Sequence, residues 1–189
     1  MIDLQPTLTG KLLKLRPLKA DDFEVLYQAA SDPLIWEQHP DRKRYQREVF
    51  QKYFDTGLQS KGAFVIEDVA TGDILGSSRF YKHDPRANEI AIGFTFLIRR
   101  CWGGSLNKEL KHLMLNYAFG IADTVVFEIG SENKRSRKAV EKIGEHLLRQ
   151  FEETQADGST SIHVVYAIHK KDLDRKSTRL NSSHTDISR

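Results

Sequence analysis

The sequence predicts one mixed α/β (α+β) domain on a mostly antiparallel central sheet, and three observations carry that expectation. A strand-like run, "GKLLKLRPL", passes directly into a helix-spaced run, "ADDFEVLYQAASDP". Two β-rich runs in "GAFVIEDVATGDILGSSRFYK" flank Thr71-Gly72-Asp73, whose turn chemistry makes them a hairpin, and "NEIAIGFTFLI" follows as the next strand of a meander. Further on, strand, glycine turn, helix and strand succeed one another from Asn88 to Gly130. The 189 residues suit one well-cored domain, because domains commonly run to ~100 to 200 residues.

The first helix is drawn by Phe23, Leu26, Tyr27 and Ala30, with acidic residues in its first turn and Asp32-Pro33 as its stop. "LIWEQHPDRKRY" reads as a loop, after which Val49, Phe50, Tyr53, Phe54 and Leu58 line one face of a second helix. Gly93, inside the third meander strand, marks a bulge or a close approach. Beyond Gly103 and Gly104, a stripe of Leu106, Leu110, Leu113, Met114, Tyr117 and Ala118 defines a third helix ending near Gly120. "TVVFEIG" is a short buried strand and "NKRSRKAVEKIG" a further helix, with Gly144 at its C-terminal end. "EHLLRQFEE" and "STSIHVVYAIHK" flank "QADGS" as a closing hairpin.

Composition narrows the function classes. No apolar run approaches the ~18 to 20 residues that span a bilayer, and "MIDLQPTLTGKLLKLRPL" lacks the pattern of a signal peptide. A single cysteine, Cys101, permits no intrachain disulfide, so a reducing, cytoplasmic setting is expected. Of the net charge of +3, an excess of +2 lies in residues 174–189, "DRKSTRLNSSHTDISR". That segment has no helical or strand period, and "DRKSTRLNSSH" resembles an in-frame translation of a common DNA-sequencing library adapter. We therefore expect residues 1–173 to form the domain and 174–189 to be a non-native disordered tail. The nearly neutral remainder argues against nucleic acid as a partner.

The glycine stretch, "RRCWGGSLN", holds the most chemistry. A helix that begins after a glycine turn offers unpaired amides and a partial positive charge to an anion, and a pyrophosphate suits such a cradle. The competing reading is a plain turn in which Ser105 caps the helix, although Lys108 three residues later leaves the capping box incomplete. Neither G-x-x-x-x-G-K-S/T nor G-x-G-x-x-G spacing is present, which removes the main support for ATPase and dinucleotide-oxidoreductase readings.

Taken in order and spacing, four segments resemble the GNAT superfamily of N-acetyltransferases, in the branch that includes ribosomal-protein acetylating enzymes. They are "LTGKLLKLRPLKADDFEVLYQAASDP", "FVIEDVATGDILGSSRFY", "IGFTFLIRRCWGGSLNKELKHLML" and "NKRSRKAVEKIG". The resemblance implies a sheet of about six to seven strands with about four helices, splayed between the "GFTFL" and "VVFEIG" strands. It implies acetyl-CoA as co-substrate, with pantetheine paired to backbone near Thr95, Phe96 and Leu97. The phosphates would meet the amides of Trp102, Gly103, Gly104, Ser105, Leu106 and Asn107. Asn133 and Ser136 match the branch's Asn-x-x-Ser and would contact the cofactor, with helix capping as their alternative role. Trp36 and His39 fall in the loop that borders the acceptor, with packing as the alternative role of Trp36 and a solvated surface as that of His39. The family's loop spacing places Trp102, Ser105 and Asn107 where other residues are usual.

Acetyl transfer from a thioester needs a neutral amine. An α-amine, with a pKa of ~7.7 to 8.0, is partly neutral at pH 7, whereas a lysine at ~10.4 needs a base or desolvation. The expected acceptor is thus a protein N-terminus or a small-molecule amine. Glu89 is the candidate base, since strand alternation puts it on one face with Gly93 and Thr95, with a solvent-facing strand end as its alternative role. Where many relatives carry an acid before the Ile-Gly pair this chain has Ala91, and the family's general-acid tyrosine falls at Val140. A backbone amide near Phe96 or Leu97 would stabilise the oxyanion. Cys101 has no evident base and reads as an incidental thiol. No metal site is expected. The alternatives are a catalytically silent acyl-CoA-binding module and, more weakly, a basic RNA-binding protein; oligomeric state is open.

Overall fold

The computed structural model describes residues 2–142, 146–154, 158 and 160–172. Gly144, most of the "QADGS" turn and the segment 174–189 lie outside them. Eight strands form one sheet: β1 (Leu8–Thr9), β2 (Leu13–Pro17), β3 (Ala63–Asp68), β4 (Ile74–Asp84), β5 (Glu89–Leu97), β6 (Thr124–Gly130), β7 (His146–Thr154) and β8 (Thr160–His169). Their spatial order is β1-β2-β3-β4-β5-β6-β8-β7. Every neighbouring pair is antiparallel except β5 with β6. Parallel neighbours need a crossover, and the helix after the glycine turn, α4 (Ser105–Ala118), supplies it. The two-residue β1 is the strand that patterning missed.

Alternation along the strands builds a core on each face. Phe64, Ile66, Phe80, Ile90 and Ile92 pack against Leu110, Met114 and Ala118 of α4, together with Val140 of α5 (Lys134–Glu141). On the opposite face Val65 and Phe96 pack against α1 (Phe23–Ala30), α2 (Pro33–Trp36) and α3 (Arg47–Ser60) through Leu26, Trp36, Phe50 and Phe54. Asp32-Pro33 does end α1, but it also starts α2. The Asp32 side chain accepts the Leu34 amide at 3.0 Å, and proline is accommodated at a first helical position because its missing N–H would be unpaired there.

The hairpin between β3 and β4 turns at Gly72, whose φ of +76° suits glycine, while the Asp68 carboxylate accepts the Ala70 amide at 2.9 Å. Two clips tie the N-terminal strands to the rest. The Glu109 carboxylate on α4 accepts the amides of Lys11, Leu12 and Leu13 at 2.8 to 2.9 Å. Asp22 takes a two-pronged guanidinium contact from Arg16, at 2.7 Å on each oxygen.

One irregularity controls the site. Gly93 pairs with Arg79 and Phe96 with Ser77, so Ser78 alone stands opposite both Phe94 and Thr95. This is a β-bulge, and Phe94 adopts a left-handed φ of +52° within it. The inserted residue reverses the facing of everything after it. Glu89 shares a face with Ala91 and Gly93, as expected, but Thr95 turns to the α4 side, where it meets Ser78, Ile92 and Met114. The expected common face of Glu89 and Thr95 is thus corrected by the bulge.

Candidate active site

Strands β5 and β6 pair only at Glu89↔Thr124, Ile90↔Val125 and Ala91↔Val126. Past that point β5 stays with β4 as far as Leu97, and β6 stays with β8 as far as Gly130. The two strands therefore splay, leaving a groove with unpaired backbone on its walls. The Ile98 amide donates to Leu75, so by ladder alternation the Phe96 amide also faces β4 while the Leu97 amide faces the groove. The Leu97 carbonyl accepts the Trp102 indole N–H at 2.8 Å. Under α4 the groove narrows to a cavity of about 10 Å³, room for one water, bordered by Thr95, Leu110, Lys111 and Phe127.

At the open end stands the glycine turn. Gly103 has φ +68° and makes the left-handed step; Gly104 is extended and precedes the first helical residue, Ser105. The helix cap is thus Gly104, which has no side chain to cap with, and the reading of Ser105 as cap does not hold. Among the described residues, the amides of Gly103, Gly104, Ser105, Leu106 and Asn107 have no acceptor. The Trp102 amide is committed to the Arg99 carbonyl at 3.1 Å and leaves the expected set. Amides converging at a helix N-terminus form an anion cradle. Arg99 pairs with Asp32 at 2.5 Å and Arg100 with Asp73 at 3.1 Å, so both guanidinium groups beside the turn are engaged elsewhere.

Trp102 reaches across the groove mouth. The Arg135 guanidinium, from α5, lies 3.9 Å from its ring centroid, a cation–π contact between the exits of β5 and β6. Arg135 also donates to the Ile35 carbonyl at 2.8 Å and pairs with Glu37 at 3.5 Å, while its amide donates to Gln38 Oε1 at 3.0 Å. Asn133 accepts the Ser136 amide at 3.1 Å and caps α5. Of the two roles expected for Asn133 and Ser136, capping is the one these contacts display.

On the face opposite α4, the bulge is surrounded by aromatic and charged groups. The Tyr53 hydroxyl donates to the Phe94 carbonyl at 2.6 Å and pins the bulge. The Arg79 guanidinium lies 4.2 Å from the Phe94 ring centroid and donates to the Tyr53 carbonyl, with its Nε unpartnered. Burial is the main cause lowering the Arg79 pKa. Tyr81 crosses over Gly93: a Cβ built there would stand 2.9 Å from the tyrosine ring, so glycine is required for that crossing. Its hydroxyl donates to Glu128 of β6 at 3.3 Å, and the Lys82 ammonium holds the same carboxylate at 2.7 and 2.8 Å. Burial first, then the Glu128 charge, push the Tyr81 pKa far above the ordinary range.

The remaining expected residues are placed as follows. Trp36 is only 2% exposed and its indole N–H donates to the Ala30 carbonyl, so it is a core residue rather than an acceptor contact. His39 is not the solvated side chain its loop suggested. It packs edge-on against Trp36, accepts the Asp41 amide at 3.0 Å and touches Arg44 at 3.2 Å. Burial, then the nearby Arg44 and His163, hold its pKa well below the usual value. Glu89 lies at the paired end of β5, four residues before Gly93, about 13 Å along a strand. That distance separates it from the bulge. Cys101 is buried, and burial raises its thiol pKa, consistent with an inert thiol. Among the described residues no cluster of three or more His, Cys, Asp or Glu could hold a metal, and no helix is long and apolar enough to cross a membrane.

A splayed parallel pair in a mostly antiparallel sheet, with free helix-terminal amides at its open end, defines the architecture of an acyl-CoA N-acyltransferase. The Acetyltransferase (GNAT) domain family matches residues 13–146, and the chain belongs to that family. Solved structures share the fold. A GCN5-related N-acetyltransferase from Brucella melitensis has 21% identity and a TM-score of 0.73, over 87% of this chain and 79% of that one. RimJ of Mycobacterium smegmatis, in complex with CoA-disulfide, has 19% identity and a TM-score of 0.68, over 89% of each chain. Spermidine N-acetyltransferase from Vibrio cholerae, in complex with CoA and spermine, has 14% identity and a TM-score of 0.66, over 86% of this chain and 98% of that one. No curated protein sequence matches this one.

Proposed function

We propose that this chain transfers the acetyl group of acetyl-CoA directly to a primary amine, the α-amine of a protein N-terminus or a small-molecule amine, in the cytoplasm. The observation that carries the reading is the alignment of two features: the groove between β5 and β6, and the unpaired amides from Gly103 to Asn107 at its open end. Pyrophosphate would take those amides, in a place where the helix macrodipole favours negative charge. Pantetheine would run along the unpaired edge of β5, where the Leu97 amide is aimed into the groove. The acceptor would approach from the face that carries Phe94, Arg79 and Tyr81. CoA in the structures of RimJ and spermidine N-acetyltransferase supports the cofactor class. The single buried thiol supports the reducing compartment.

Ala91 and Val140, which replace two of the family's usual acid–base positions, favour a silent acyl-CoA-binding module as the second reading. One pair of measurements separates the two. Acetyl-CoA at 100 times its Kd adds about 2.7 kcal/mol of stability to either protein, and the absence of any thermal shift would exclude both. Release of free thiol with a panel of amines and N-terminal peptides belongs to the enzyme alone.

A further inference from the structure

We infer that the proton leaving the attacking amine passes through the Tyr81 hydroxyl to Glu128, a two-residue relay laid across Gly93 at the point where β5 and β6 part. The inference rests on the acetyltransferase reading above and assigns the proton-handling role that the distance of Glu89 and the replacement of the usual acids leave unfilled.

The geometry follows from three strands. Tyr81, Ala91 and Val126 are successive partners across β4, β5 and β6, and the pairing of β5 with β6 ends there. Glu128 stands two residues beyond that point, on the face of Val126. To reach it from β4 a side chain must pass over β5, and only the missing side chain of Gly93 opens that path, since a Cβ there would lie 3.1 Å from the Tyr81 oxygen. The hydroxyl therefore rests over the backbone beside the bulge, with its ring 5.1 Å from that of Phe94. Lys82 adopts a left-handed φ of +48°, and its ammonium contacts both oxygens of the same carboxylate as its neighbour Tyr81.

Charged groups around the hydroxyl are Glu128 on β6, Lys82 and Arg79 on β4, and Glu153 on β7. The Tyr81 proton is directed at Glu128, which leaves the oxygen lone pairs free to accept. A high phenol pKa keeps Tyr81 protonated, so it hands on a proton instead of acting as a free phenolate base. In the step itself the amine nitrogen bonds to the thioester carbon and the carbonyl π pair becomes the oxyanion. One N–H proton moves to Tyr81 Oη as the tyrosine's own proton moves to Glu128 Oε2. The oxyanion then re-forms the carbonyl, the C–S bond breaks, and the thiolate takes a proton from solvent while Glu128 returns one. Amine and thioester become amide and thiol with protons balanced. Tyr81 is the catalytic residue here, and Glu128 is a positioning residue that acts through it.

The test is steady-state kinetics on the full chain, with acetyl-CoA and an amine that the wild type acetylates. Tyr81→Phe is expected to lower kcat by about 100-fold, the usual scale of acid–base assistance, while the KM for acetyl-CoA and the thermal shift it produces stay within twofold. Glu128→Gln lowers kcat to a similar degree, Glu128→Asp restores part of it, and the double variant is no slower than Tyr81→Phe because the two groups serve one path. A kcat for Tyr81→Phe within twofold of wild type, or multiplicative losses in the double variant, overturns the relay and leaves the acetyltransferase reading intact. A wild type that binds acetyl-CoA but acetylates no amine overturns both.

Discussion

Substituting Ser105 by proline probes the cofactor cradle with little disturbance to the fold. Ser105 is the first residue of α4 and its amide has no acceptor among the described residues, so a proline there removes no internal hydrogen bond. The residue before it, Gly104, has φ −99° and ψ −168°, the extended conformation that a following proline requires. Stability is therefore expected to hold or to rise by about 0.4 to 1 kcal/mol. If that amide donates to a pyrophosphate oxygen, its loss removes a hydrogen bond to a charged group, worth about 1.5 to 3 kcal/mol. At 1.4 kcal/mol per decade this is a Kd for acetyl-CoA about 10- to 150-fold weaker. Isothermal titration calorimetry reads the affinity and thermal denaturation reads the fold. Ser105→Ala, which keeps the amide, serves as the control and should bind normally. Equal affinity of Ser105→Pro and wild type, at unchanged midpoint, would refute the cradle as drawn.

Other perturbations test the framework. Gly62→Ala would set a Cβ 2.1 Å from the Phe80 carbonyl oxygen, where two backbones are already hydrogen-bonded. A loss of about 2 to 3 kcal/mol is expected from urea denaturation, with an unchanged slope. Burial alone would raise the Asp22 pKa, but the Arg16 hydrogen bonds, the Lys19 amide and the charges outweigh it, and the net shift is downward. Its contribution to stability is therefore complete above its unfolded value of ~3.9 and disappears as pH falls through the lower folded value. Asp22→Asn should cost about 2 to 3 kcal/mol at pH 7 and nearly nothing below that window, as equilibrium unfolding at several pH values will show. Arg135→Ala removes the Trp102 stack and the Ile35 hydrogen bond. It should cost about 1 to 2 kcal/mol and speed amide exchange in residues 102–107, read by mass spectrometry.

Periodicity marked the elements well because each has its own buried stripe. Leu110, Met114 and Ala118 recur at helical spacing, and Thr71-Gly72-Asp73 states its turn outright. The bulge carries no such local signal. Phe94 is a large aromatic in a left-handed conformation, imposed by the Tyr53 hydroxyl on its carbonyl and by register with β4. Nothing in "IGFTF" announces it beyond Gly93, and the facing assigned to Thr95 reversed as a result. Tyr81 and Glu128 are 47 positions apart and meet only across an intervening strand, so no local pattern pairs them. His39 and Trp36 fell in a loop by composition, yet α2 and the arginine contacts of Arg44 fold that loop inward. Long-range contacts of this kind are set by tertiary packing, which single-residue patterns do not encode.

Arg135 ties the mouth of the groove to the segment that follows α1. One guanidinium rests on Trp102, the residue that opens the glycine turn, and grips Ile35 and Glu37, while its backbone amide holds Gln38. A displacement of Trp102 therefore has a direct route to residues 35–38, and a displacement there has the same route back. Groove mouth and loop thus share one guanidinium, and a substitution that repacks either is expected to be read at the other.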